Sequence, residues 1–270
     1  MSLYLFFLVV SVFSIHCASS FKNKTPDLSQ ISPQFLQAKV RDNYLKLLSF
    51  EGKARVVIEL PGHGYNGFAS VYLNMPDSVL VKTEAMLGID IGVLFMNHQL
   101  FGAYAPRENT FYYGEVKTLD LRDFLQVELT TEELYEVFTG LLQILVDSTS
   151  TVDFVRGKYV VTNQLSQGYV KQWVDPKKFL VTKSELFNER GQLILTKEFR
   201  RIHKTKGLML PKTIRLTRPR AKERVTVYYT RQKVNKHIPA KKFKLKLPDN
   251  AKKIYWSSLN HPRVEREQIK

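Results

Sequence analysis

From residue 154 onward the sequence is a succession of short apolar–polar stretches separated by turn signals, and this constrains the fold more than any other feature. Candidate strands fall at Lys158–Gln164, Gly168–Val174, Phe179–Asn188, Leu193–His203, Lys212–Arg218, Arg224–Gln232 and Lys242–Leu247. Asp175-Pro176, Glu189-Arg190-Gly191, Thr205-Lys206-Gly207 and Arg218-Pro219-Arg220 supply the reversals between them. Strands at this spacing, with no helical pattern between them, predict an antiparallel sandwich or barrel. The last stretch alternates strictly, with Phe243, Leu245 and Leu247 on one side and Lys242, Lys244 and Lys246 on the other. That alternation predicts a strand with one apolar and one wet face.

The first half mixes helices with strands. Ser32-Pro33 reads as a helix start, and Leu36, Val40, Tyr44 and Leu47 at helical spacing predict an amphipathic helix over 33–48. Glu51–Leu60 and Gly67–Leu73 read as strands around a turn-rich Pro61–Asn66. That connection is expected to be a flexible hairpin tip, either facing solvent or dipping into lipid through Tyr65 and Phe68. A turn at Pro76-Asp77-Ser78 leads into a strand at Val79-Leu80-Val81, the apolar run Met86–Met96 and an aromatic hairpin closing on Phe111-Tyr112-Tyr113. Thr130 and Glu133 form a capping box, followed by Leu134, Val137, Phe138, Leu141, Leu142 and Leu145 along one helical face. A face that broad must be buried, either as core or as one side of a cavity.

The opening residues 1–17 match the apolar core of an export signal and are too short to span a bilayer as a helix. Cys17, the sole cysteine, stands where a lipoprotein signal would place the acylated residue. The alternative is ordinary cleavage after Ser19. Residues 18–30 then read as a tether, 31–256 as one domain and 257–270 as a polar tail. The net charge of +16 is concentrated: between Arg200 and Lys253 there are 19 Lys/Arg against two acids, Glu223 and Asp249. Such a region suits either an anionic membrane surface or polymer, or simply solvated, lysine-guarded strand faces. Because an exported protein rarely meets nucleic acid, no nucleic-acid partner is expected.

Catalytic chemistry finds no support. His63, His98, His203, His237 and His261 are scattered singly, without metal-ligand spacing. Glu132/Glu133 belongs to a helix cap, Asp120/Asp123 to a polar connection, and no Gly-x-Ser-x-Gly turn is present. The expectation is a binding protein, not an enzyme, without metal or cofactor. Aromatic and aliphatic side chains lining a curved sheet suit an acyl-chain pocket, in which each buried CH₂ contributes on the order of 0.8 kcal/mol.

The order of elements, with Pro76-Asp77-Ser78-Val79, Leu87-Gly88-Ile89-Asp90 and Tyr112-Tyr113-Gly114, resembles the bacterial lipoprotein-localisation family of the LolA/LolB type across residues 33–248. It is most similar to an uncharacterised outer-membrane lipoprotein branch of that family. The resemblance implies a mainly β, α+β fold: a curved antiparallel sheet forming an incompletely closed β-barrel covered by helices. It implies a cavity for lipoprotein acyl chains or other lipid, matched here by Val79, Val81, Leu87, Ile89 and Ile91. Periodicity adds Leu134, Phe138 and Leu141. The expected setting is the periplasm or the periplasmic face of the outer membrane, as a monomer that meets a lipoprotein carrier. The rival expectation is a structural lipoprotein whose basic strands around Lys242, Lys244 and Lys246 dock an envelope partner or anionic polymer.

Overall fold

A computed structural model describes residues 31–76, 78–85, 88–119, 121 and 130–257. The expected export signal with Cys17, the expected tether, Asp77, Leu87 and all of the expected tail but Ser257 lie outside the described residues. The architecture is mainly β: among the described residues two helices, α1 (Pro33–Leu45) and α2 (Thr131–Thr139), accompany one 14-stranded sheet. In chain order the strands are β1 (Ser49–Leu60), β2 (His63–Asn74), β3 (Ser78–Ala85), β4 (Asp90–Met96), β5 (Leu100–Ala105), β6 (Thr110–Glu115) and β7 (Thr151–Val155). They continue as β8 (Lys158–Leu165), β9 (Gly168–Val174), β10 (Val181–Phe187), β11 (Leu193–Thr205), β12 (Leu208–Arg218), β13 (Glu223–Val234) and β14 (Lys252–Trp256). Their spatial order is β14-β6-β5-β4-β3-β2-β1-β13-β12-β11-β10-β9-β8-β7. This is one open sheet built from two antiparallel meanders that meet where β1 pairs with β13. β14 alone runs parallel to its neighbour, β6.

Six of the seven strands expected after residue 154, β8 to β13, form where alternation and turns placed them. Lys206-Gly207 and Arg156-Gly157 close two-residue hairpins with both residues at positive φ, the backbone twist that matches flanking antiparallel strands. The alternating apolar side chains of each strand meet on one face, and a single buried cluster extends from Leu36 to Trp256. Among the described residues no helix is long and apolar enough to cross a membrane.

α1 begins where Ser32 accepts a hydrogen bond from the Phe35 amide. It stops three residues short of the expected 48. The Asn235 side chain, just past β13, donates to the Lys46 carbonyl (2.7 Å) and accepts from the Leu48 amide (2.9 Å), holding those groups out of a further turn. α1 docks through buried Asn43, whose amide exchanges two hydrogen bonds with the Met209 backbone on β12, at 3.1 and 3.0 Å.

α2 has the expected capping box, with Thr130 accepting from the Glu133 amide and the Glu133 carboxylate accepting from the Thr130 amide. It is shorter than the apolar periodicity suggests, because Gly140 adopts φ +65° and ends it. Leu141 and Leu142 are buried beyond the helix, whereas Leu145 is 68% exposed. A helix end leaves carbonyls without intrahelical donors. Buried Tyr229 on β13 supplies one, its hydroxyl donating to the Phe138 carbonyl at 2.6 Å, and burial raises its pKa so that it stays a neutral donor. Tyr229→Phe should therefore cost about 1–3 kcal/mol, read as a lowered denaturant midpoint at unchanged m-value.

Two expectations about local structure are overturned. The β1–β2 connection is only Pro61-Gly62, and the residues from His63 onward are strand. Tyr65 thus stands in β2 with its hydroxyl donating to the Glu84 carbonyl at 2.7 Å, and Phe68, though exposed, is on the same strand and not on a projecting loop. Ladder pairing of His63–Asn66 with β1 outweighed the turn-forming composition. Lys242–Leu247 is likewise not a strand. Ala240–Phe243 forms a 3₁₀ turn and the chain continues irregularly between Pro239 and Pro248. Its alternation survives as burial, with Phe243, Leu245 and Leu247 half-buried and the lysines exposed. The segment crosses the sheet on the face opposite the core and delivers the chain to β14 at the far edge.

Candidate functional site

The core-bearing inner face becomes a cleft where β9, β10 and β11 lie beneath α2. Register places Val170, Leu186 and Leu195 side by side across the three strands, and Gln172, Ser184 and Lys197 side by side one pleat further along. The wall is thereby sorted into an apolar row and a polar row. Leu141, Leu142 and Tyr135 face it from α2 and the segment after it, and Met75, Met96 and Val116 approach from the other wing of the sheet. Five strands, β3, β2, β1, β13 and β12, separate β4 from β11 in the sheet, yet both wings line the same space. Only a strongly curved sheet can do this. The cleft holds about 790 Å³, within the range of sites that enclose small ligands.

The polar row is not loose. Lys197 pairs with Glu136 and, at 3.3 Å, with Glu133, and Arg218 meets Glu133 at 3.1 Å. The Lys197, Glu133 and Arg218 side chains are all below 15% exposed, so they hold α2 over the sheet in a low-dielectric setting. Gln172 donates to the Gln143 carbonyl at 3.0 Å and fixes the segment after α2 to β9. Tyr44 reaches the same cleft from α1; burial, and then the Glu136 carboxylate, raises its pKa above the ordinary phenol value. The arrangement can therefore take an apolar chain along the row Val170–Leu186–Leu195, with charged and amide groups in the row beside it.

Of the described residues expected to line a cavity, Leu141 alone is in the lining of this cleft. Val79, Leu134 and Phe138 are buried in the packed core. Val81, Ile89 and Ile91 border a second hollow of about 810 Å³ on the inner face of the β3–β6 wing, with Leu94, Ala103 and Trp256. Ile89 and Ile91 are 63% and 44% exposed there, at its rim. Leu87 is outside the described residues. Sequence reasoning missed Val170, Leu186, Leu195 and Lys197, although Gln172 and Ser184 at inward positions of apolar strands were a visible signal that this stretch of inner face is not ordinary core.

A family described as "uncharacterized protein" matches residues 115–247, just under half of the chain. Among curated proteins none matches in sequence. Solved structures share the fold. A DUF1329 family protein from Desulfovibrio piger superposes with a TM-score of 0.59 at 14% identity, over 78% of this chain and 95% of that one. A LolA superfamily protein from Nitrosomonas europaea gives 0.52 at 16% identity, over 80% and 98%. A Vibrio parahaemolyticus domain provisionally named an outer membrane lipoprotein-sorting protein gives 0.54 at 9% identity, over 78% and 97%. The likeness that the sequence motifs indicated is borne out at the level of fold: this is a LolA-like sheet, large, curved and open.

Proposed function

We propose that the cleft between α2 and β9–β11 binds an acyl chain, and that the protein serves in the cell envelope as a non-catalytic acceptor or chaperone for lipoproteins. The observation that carries this reading is the sorted wall, Val170–Leu186–Leu195 beside Gln172–Ser184–Lys197, facing an open cleft. Chain methylenes would lie along the apolar row, each contributing on the order of 0.8 kcal/mol, while the linking ester or amide would sit at the polar row. Affinity of this kind needs little shape specificity, which suits a handler of many clients. The fold supports the reading, since a structural neighbour carries lipoprotein sorting in its name. Lipid attachment at Cys17, residence on the periplasmic face of the outer membrane and hand-over from a periplasmic carrier belong to the same proposal.

The direct test is native mass spectrometry of the mature protein purified without detergent, together with titration of a fluorescent fatty-acyl probe. Co-purifying lipid and saturable probe binding are expected. A lipid-free protein that ignores the probe would overturn the proposal.

A further inference from the structure

On the face of the sheet opposite the core, register aligns Lys53, Ser70, Lys82, Val93 and Tyr104 across β1–β5. The segment Pro239–Leu247 lies over the adjoining row. Lys242 Nζ stands 5.4 Å from the centre of the Tyr72 ring, and Leu245 is seated where Gly102 leaves room, since a Cβ there would come within 3.1 Å of Leu245 Cδ1. Strap and sheet together enclose a cleft of about 680 Å³, bordered by Lys53, Lys82, Lys242, Lys244 and Lys246.

The cleft's acids do not balance these charges. Glu84 and Asp90 both pair with Lys82, at 3.2 and 2.8 Å. Among the described residues Lys53, Lys244 and Lys246 have no carboxylate partner, and Lys242 has only the tyrosine ring. Like charges held together by a packed strap repel one another, and an entering anion relieves that repulsion while gaining several charge-assisted hydrogen bonds. The alternation of Lys242–Leu247 thus acquires a purpose that a strand would not have given it: apolar residues anchor the strap and lysines face the cleft. We infer that this cleft is a binding site for a phosphate-bearing anion, separate from the apolar cleft on the inner face.

The test compares the wild-type mature protein with a K53Q/K244Q/K246Q variant, which spares the anchoring Lys242 and the ion-paired Lys82. A K177Q/K178Q/K222Q variant removes the same charge outside the cleft. Two probes are used: pyrophosphate by calorimetry, and vesicles of phosphatidylcholine with or without phosphatidylglycerol by co-sedimentation. The expected result is salt-sensitive binding by the wild type and control, weakened tenfold or more in the cleft variant at unchanged melting temperature. Binding of pyrophosphate would identify a free anion as sufficient; binding only to phosphatidylglycerol vesicles would identify the anion as a lipid headgroup. Absence of binding to either probe, or equal weakening in the control variant, would overturn the inference.

Discussion

Leu186→Glu should weaken saturable acyl-probe binding by roughly one to two orders of magnitude while the protein remains folded. Leu186 occupies the middle of the apolar row, flanked by Val170 and Leu195, and is only half-buried because it borders the cleft. A carboxylate at that position can stay hydrated while the cleft is empty, so the cost to folding should be modest. A bound chain would strip that water without replacing it by a partner, and the contact surface of one leucine would be lost as well. Together these should weaken binding by about 2–3 kcal/mol, roughly 30- to 150-fold in dissociation constant. Leu186→Met, close in volume, should bind as the wild type does. If Leu186→Glu bound the probe normally, the chain would have to lie elsewhere, and the hollow bordered by Val81, Ile89 and Ile91 would become the candidate.

Gly140→Ala should be the most destabilising single methyl addition near the site. Two independent penalties meet there. The residue has φ +65°, which disfavours any side chain, and an added Cβ would lie 2.1 Å from Pro211 Cγ. The proline ring cannot rotate aside, and Ile214 closes the other approach at 3.1 Å. Left-handed strain of roughly 1–2 kcal/mol and overpacking of about 1–3 kcal/mol add to roughly 2–5 kcal/mol. Differential scanning calorimetry should show a fall in melting temperature on the order of 5–15 °C. Because Gly140 ends α2 where the helix rests on β12, probe affinity should fall along with stability. An unchanged melting temperature would mean that α2 is not seated on β12 as described.

Much of this fold was legible because its information is local. The Thr130–Glu133 capping box, the Ser32-Pro33 helix start and the two-residue turn at Lys206-Gly207 depend only on neighbours in sequence, and each formed. The resemblance in Pro76–Val79 and Tyr112–Gly114 led to the right family of folds, and the cavity residues taken from it do not gather around one space. Val79 became core, and Ile89 and Ile91 went to the rim of a different hollow from the one beneath α2. An alternating strand shows which residues share a face; it does not show whether the space over that face is filled.

The strap makes the same point from the other direction. The alternation in Lys242–Leu247 correctly separated residues that touch the protein from residues that meet water, yet it was no guide to hydrogen-bond partners. By itself, then, the sequence determined the β-rich class, the turns, the helix caps and the basic character of the C-terminal third, since each follows from backbone preference or composition. The tertiary structure alone decided register and curvature. Register set Val170, Leu186 and Leu195 in one row and Gln172, Ser184 and Lys197 in the next, and curvature brought a distant wing of the sheet to close the cleft over them. Pairing between strands far apart in sequence is settled by cooperative burial across the whole sheet, and no local window of residues encodes it.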